Sequence, residues 1–389
     1  MSLALSPSPT RPGRPLPLTR RVAAIAAAAV TTVGALVGAS QSTADAAPTS
    51  SGPQFMLVGG TGSPNVSVLR IDGPRITKVS GPMYTGAGFS MGVIPTPDGR
   101  YVYISGTSSG TIKGYRMHRN GTLSALPGVF KSPGPVTSMD ISPDSKHLFA
   151  TVGTVGTTIQ TYAIGDNGSL RLTHGKDLPG VASGLSIPQV TPNGKFLVAS
   201  SFIQGSLDSF RVGPTGALTR VSNQYFSGIG PTMPEVTPNN KFVYVTAEQT
   251  HSIAGFRITP QGALVPLGFS FAGLIPHGMA IHPNSRWMYF PTTGGLGIGA
   301  RRILPNGTLA PLPGGNQPSP AGHAPGLVRI SPDGNWLYNI DTLSVSGSTH
   351  VTAYRVLPNG ALRQASGPVD AGVRFSDGDS ANIVSPPAG

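Results

Sequence analysis

A short apolar run ending in Pro-Asp or Pro-Asn recurs along this chain: VIPTPDGR at Pro97, MDISPDSK at Pro143, PQVTPNGK at Pro192, PEVTPNNK at Pro238, MAIHPNSR at Pro283 and VRISPDGN at Pro332. The intervals are 46, 49, 46, 45 and 49 residues. After each marker comes a β-rich run (YVYISG, HLFATV, FLVASS, FVYVTA, WMYFPT, WLYNID), and some 20 residues later a second marker with glycine at 121, 168, 216, 262, 307 and 360. Proline presets φ for a turn that Asp or Asn caps. The Asn-Gly-type pairs tolerate the positive φ that a tight hairpin needs. Each unit therefore reads as four antiparallel strands, with the first turn joining an inner strand to the second and the hairpin joining the third to the outer. A repeat of this length, built of strands, fits a propeller blade; helical repeats would show a 3.6-residue period.

Six units are complete, and the chain's two ends supply a seventh. ANIVSPP, with Pro386 as its marker, matches an inner strand, while QFMLVGG, VSVLRIDG and RITKVSG provide the other three. The end segments complement each other in type and order, which favours seven blades over six with frayed ends. Closing the ring this way removes the open strand edge that would recruit other chains. The fold expected is all-β, a seven-bladed β-propeller over residues 54–389, preceded by a short flexible lead at 47–53. With 53 glycines, 39 prolines and no cysteine, the chain is rich in turns and excludes disulfides, thiolate catalysis and thiolate metal sites.

The first 46 residues read as an export signal. Arg11, Arg14, Arg20 and Arg21 precede an Ala-rich run from Val22 to Ala39, and Ala44-Asp45-Ala46 offers a small-residue exit with Pro48 beyond. The Arg20-Arg21 pair permits the twin-arginine route, and the general secretory route stays open. A secreted, extracellular protein is expected, with no stable membrane span after cleavage. Cleavage after Ala46 lowers the formal charge from +12 to +9, from 23 basic and 14 acidic residues. That charge allows contact with polyanionic cell-wall polymers. No basic run is interleaved with aromatics, so no nucleic-acid partner is expected. Of the Asn-x-Ser/Thr sites at Asn65, Asn120, Asn167 and Asn306, the last three are the hairpin turns themselves.

In a propeller, the loops entering the inner strands and those between second and third strands share one rim, where function concentrates. Three residues before each marker proline, the ring reads Ile94, Asp140, Gln189, Glu235, Ala280, Arg329 and Ile383. Polar groups at four of these buried-strand positions need partners or water, so they either bond one another or contact a ligand in the central channel. Six residues before the marker come Met91, Thr137, Ser186, Thr232, His277, Gly326 and Ser380. His277 is the one titratable side chain there, and the preceding unit's rim loop carries Glu248 and His251. Glu248 and His277 thus form a candidate carboxylate–imidazole pair for proton transfer. His323 and Asp341 are expected on the same rim. A His/Asp metal site from His251, His277, His323 and Asp341 lacks any local H-x-x-H or H-E-x-x-H spacing, so no metal and no cofactor is expected.

The units TPDGRYVYISGTSSGTIKGYRMHRNGTL and TPNNKFVYVTAEQTHSIAGFRITPQGAL resemble the seven-bladed lactonase family, which includes propeller-type 6-phosphogluconolactonase and carboxymuconate cyclase. They are also similar to YVTN-repeat secreted propellers. No WD40 or kelch pattern recurs. The resemblance runs from about Gln54 to Pro386 and implies a hydrolase or cycloisomerase acting on a small polar lactone at the channel mouth. The family's catalytic set is a histidine, a glutamate and two arginines. Carried across, Ser186 stands at the histidine place, Thr232 and Thr293 at the arginine places, and Glu248 matches the glutamate. Arg329 or the Arg301–Arg302 pair would have to replace the missing positive charge. The expectation is catalysis by Glu248 and His277, with Asp140, Gln189, Glu235, Arg329, Ser186, Thr232, His251, His323 and Asp341 contacting substrate. The alternative is a non-catalytic extracellular propeller that binds a ligand, a cell-wall glycan or a protein.

Overall fold

The computed structural model describes residues 52–178, 183–221 and 225–387, and the export-signal reading of residues 1–46 falls outside them. Seven antiparallel sheets follow one another along the chain. We number the blades I to VII from the inner strand Val93–Pro95. The inner strands of blades II to VI are Val136–Ile141, Ser186–Val190, Pro231–Val236, Ala280–Ile281 and His323–Ile330, and that of blade VII is Ala381–Val384. Blade VII closes the ring as the sequence predicts: Ala381–Val384 pairs antiparallel with Gln54–Gly59, with Phe55 opposite Val384 and Val58 opposite Ala381. No helix among the described residues is long and apolar enough to cross a membrane.

The outer strand departs from the predicted plan. In blades II and IV it is a single strand, Leu170–Asp177 and Leu264–Phe271, whose register shifts once against the third strand. In the other five blades it is broken in two, and both pieces pair with the third strand. Blades I, V, VI and VII carry proline at the break (Pro127, Pro313, Pro368 and Pro82), which cannot donate to the ladder.

The apolar core is divided into seven slabs, one between each pair of neighbouring blades. The two sequence markers meet across these slabs. Each hairpin glycine lies on a ring at the start of the second strand of the preceding blade: Gly121 on Phe55 (its second residue), Gly168 on Tyr101, Gly216 on His147, Gly262 on Phe196, Gly307 on Phe242 and Gly360 on Trp287. Gly73 on Trp336 completes the circle. Gly262 shows why no other residue serves: its φ is +90°, and a Cβ would sit 2.2 Å from the Phe196 ring. The glycine carbonyls are satisfied by the same neighbour, since Tyr244 Oη donates to Gly307 O (2.7 Å) and Tyr289 Oη to Gly360 O (2.7 Å). Asn120, Asn167 and Asn306 accept the backbone N–H two residues on, as turn residues should.

Candidate active site at the channel mouth

The rim end of the channel holds a cavity of about 170 Å³. Met91, Leu185, Ile187 and Phe202 form its apolar wall, and Glu248, His277 and Asp377 its polar one. Three blades position the polar group. His277 stands in the loop entering the inner strand of blade V, where its carbonyl accepts from Thr246 Oγ1 (2.9 Å). Glu248 follows the second strand of blade IV, with its N–H on Gly230 O (3.0 Å). Asp377 precedes the closing strand of blade VII. His277 Nε2 lies 3.2 Å from Glu248 Oε1 and 3.0 Å from Asp377 Oδ1.

The other ring nitrogen settles the proton inventory. His277 Nδ1 is 2.9 Å from Gly326 O, and a carbonyl only accepts, so Nδ1 carries a proton. Nε2, between two carboxylates, must carry one as well unless a carboxyl is protonated. Burial alone would lower the His277 pKa, but the hydrogen bond and charge of Asp377, then Glu248 and the Gly326 carbonyl, raise it above 6.5. Burial works to raise Asp377, yet His277 and the Gly378 N–H hold it below 3.8. Glu248 moves the other way, because burial, with some help from the Asp377 charge, outweighs His277 and lifts it above 4.5. The site therefore sets an imidazole favoured in its charged form beside an aspartate held down by that imidazole and a glutamate pushed up by burial.

The Gly326 contact depends on a local irregularity. The pairing of the inner strand of blade VI slips between Pro325 and Leu327, leaving Gly326 out of register. A Cβ at Gly326 would lie 1.5 Å from Thr342 Oγ1. Glycine there lets the strand bulge against its neighbour and offer its carbonyl to His277.

Asp377 escaped the sequence reading. It lies in the approach to the closing strand, outside the six complete units. Taking Pro386 as that strand's marker set the ring alignment off by one residue: Asn382, opposite Leu57, takes the channel position expected for Ile383. Ile383 packs against the core instead.

Asp140, Gln189, Glu235 and Arg329 do not share the cavity of Glu248 and His277. Together with Asp379 and Asn382 they line a second chamber of about 260 Å³, and Ile187 borders both spaces. Most of this ring ties blades together. Asp140 Oδ2 accepts from Val190 N (2.6 Å) and Gln189 Oε1 from Val236 N (2.7 Å), each in the next blade. Arg329 donates to Ala381 O (2.7 Å) and Asp379 Oδ1 (2.5 Å), and Asn382 donates to Val93 O (3.1 Å). These side chains satisfy inner-strand groups that face the channel without a partner strand. Burial drives Asp140 up to about 7 and Glu235 up to about 8. Glu235 receives the Gln189 amide at 3.1 Å.

The remaining candidates separate. Ser186 and Thr232 do line the mouth cavity, but Thr232 Oγ1 is 2.6 Å from Thr246 Oγ1 and Ser186 Oγ donates to Ser183 O (3.3 Å). His251 is not part of the lining; its Nδ1 accepts the Ile275 N–H at 3.2 Å and so braces the neighbouring loop. His323 and Asp341 form a cluster of their own with His350, apart from His251 and His277. Arg301 and Arg302 cannot replace the family's arginines: they lie on the third strand of blade V, and Arg301 donates to Phe271 O (2.7 Å) and Ala300 O (2.8 Å). Thr293 Oγ1 donates to Pro325 O (2.7 Å). Among the residues lining the mouth cavity, His277 is the one basic side chain.

The family model of the seven-bladed β-propeller lactonases matches residues 99–235 and 182–281. A 6-phosphogluconolactonase of Xenorhabdus nematophila is 37% identical over 101 residues, which cover 26% of this chain and 29% of that protein. The chain thus aligns with less than a third of the length of this curated relative. Among solved structures, the periplasmic gluconolactonase of Pseudomonas aeruginosa is similar with a TM-score of 0.71 at 17% identity, over 86% of this chain and all of that one (100%). A functionally unknown protein from Desulfotomaculum acetoxidans gives 0.68 at 15% identity, over 85% of this chain and 99% of that one. Fold and sequence together make this chain a lactonase-like seven-bladed β-propeller, similar to the 6-phosphogluconolactonases.

Proposed function

We propose that this propeller hydrolyses a small polar lactone in the mouth cavity, after export directed by its first 46 residues. The observation that carries the reading is the convergence of Glu248, His277 and Asp377, from three blades, on one half-apolar cavity. Its volume of about 170 Å³ lies below the ~300–1,000 Å³ of pockets for drug-sized ligands, which favours a single ring over a polymer. Ionised Glu248 takes a proton from water as the water oxygen attacks the lactone carbonyl. The His277 imidazolium faces the negative charge that develops on the carbonyl oxygen. The ring C–O bond then breaks, its oxygen takes a proton from His277 Nε2, and an open hydroxy acid leaves. Asp377 keeps His277 charged until that transfer. Here one imidazolium takes the place of the family's arginines.

The test is a panel of five- and six-membered lactones assayed with the chain and with Glu248→Gln and His277→Ala. Turnover that falls ~10²–10⁴-fold in each variant is expected, the usual range for a positioned acid or base. Full activity in both variants overturns the site assignment. The loss of the family's histidine and arginines at Ser186, Thr232 and Thr293 favours a second reading, a propeller that binds without turnover. Saturable binding of a lactone or cell-wall glycan with no hydrolysis across the panel would establish it. Export is checked by the N-terminus of the protein recovered outside the cell, expected at Ala47.

A further inference from the structure

Blade VI brings three ligand-type side chains to one place at the rim. In the pairing of its second strand (Trp336–Ser344) with its third (His350–Val356), Asn339 faces Thr352 and Ile340 faces Val351, which sets Asp341 against His350. His323 opens the inner strand on the other side of Asp341. One donor atom from each of the three lies within 4.8 Å of the others. His323 Nδ1 is 2.5 Å from Asp341 Oδ2, and the two imidazoles stand edge to face at 83° with centroids 4.8 Å apart.

The surroundings prepare these groups as donors. Asp341 is fully buried (0% exposed), and Asn339 Nδ2 holds its Oδ1 at 3.0 Å, leaving Oδ2 toward His323. His350 Nδ1 is 3.1 Å from Ser348 O, which can only accept, so Nδ1 carries a proton and Nε2 is the nitrogen left to meet a metal. A second-sphere bond of this kind is the one that orients a metal-binding imidazole. A histidine–aspartate pair needs only His323, and the second imidazole beside it has no part in such a pair. His323 and His350 are both partly open to solvent, so an ion has a way in.

We propose that His323, Asp341 and His350 bind one divalent transition ion of the zinc class, with solvent completing its coordination. Two imidazole nitrogens and one carboxylate oxygen are the donor set that zinc accepts at ~2.0–2.2 Å, which places tetrahedral donors ~3.3 Å apart. Side-chain rotation closes the present spread, and the proton in the His323–Asp341 contact goes to solvent as the ion enters. Gly326, three residues along the inner strand from His323, holds His277 Nδ1. The ion would therefore anchor the strand that orients the mouth imidazole without touching the reacting atoms. This inference does not depend on the lactonase reading.

The full chain, stripped with a chelator and desalted, is titrated with Zn²⁺ by calorimetry, and bound zinc is counted by elemental analysis. One zinc per chain and a raised thermal midpoint are expected. His350→Ala, which leaves the His323–Asp341 contact in place, and Asp341→Asn should each weaken binding by at least ~10-fold and abolish the zinc-dependent rise in midpoint. Unchanged circular dichroism of the zinc-free His350→Ala protein shows that it folds. Co²⁺ in place of zinc should give visible absorption that vanishes in the same variants. Substoichiometric zinc in the wild type, or equal binding in the wild type and His350→Ala, overturns the proposal.

Discussion

Two histidine–carboxylate clusters share one rim of this molecule, and they have opposite proportions. At the mouth, one imidazole stands between two carboxylates, 3.2 and 3.0 Å away. On blade VI, two imidazoles flank a single carboxylate. In both, a backbone carbonyl fixes which ring nitrogen carries hydrogen, Gly326 O for His277 and Ser348 O for His350. The ratio then decides the chemistry. Two carboxylates favour the cationic form of the lone imidazole, suited to facing an oxyanion. One carboxylate, already bonded to His323, leaves the Nε2 of His350 to meet a metal.

The largest effect that separates the clusters should come from Glu248→Gln. Lactone turnover is expected to fall ~10²–10⁴-fold, while zinc stoichiometry on blade VI stays at one. Loss of zinc together with turnover would mean that the two clusters form a single site. Gly326→Ala should touch both, because its Cβ would lie 1.5 Å from Thr342 Oγ1 on the strand that serves them. A destabilisation of ~1–3 kcal/mol by denaturant titration is expected, with weakened turnover and weakened zinc binding.

Asp377→Asn is a smaller and more selective probe. Without Asp377, His277 loses the strongest influence raising its pKa, and Glu248 loses a charge raising its own. Both limbs of the pH–rate profile should move to lower pH, with turnover reduced ~10-fold at neutral pH. Unmoved limbs would show that other groups govern the rate. The smallest effect is on stability. The raised His277 contributes fully below 6.5 and loses its contribution as pH rises through its native value; the lowered Asp377 contributes above 3.8 and loses it as pH falls. The thermal midpoints of wild type and Asp377→Asn should therefore differ most between those two values, by an amount worth no more than ~1 kcal/mol for partly exposed groups.

The blades were legible because each repeat marker has a mechanical task. Proline and glycine are demanded by turns, and the hairpin glycines are also demanded by the aromatic rings beneath them. Glu248 and His277 could be placed on one mouth because both stand at fixed offsets within the repeat. Asp377 could not, since its loop enters the split seventh unit, whose inner strand was aligned one residue off. His350 was hidden because it opens a third strand, just outside the rim loops. The break in the outer strands was hidden because either form keeps the same hairpin glycine. For Asp140, Gln189, Glu235 and Arg329 the sequence left two readings open, bonds within the protein or contact with a ligand. The bonds of Asp140, Gln189 and Arg329 to the next blade's backbone emerge only when the inner strands stand side by side.

The closing strand gives the molecule an order of events. Asp377 and Asp379 arrive with the segment whose Ser376 Oγ reaches Gly59 O across 317 residues of chain, among the longest-range hydrogen bonds in the molecule. Contacts so distant in sequence carry the largest loop-closure entropy and tend to form late. His277 meets Asp377, and Arg329 meets Asp379, only once the circle is complete. The surroundings of His277 are thus finished by ring closure, and not by blades IV and V alone.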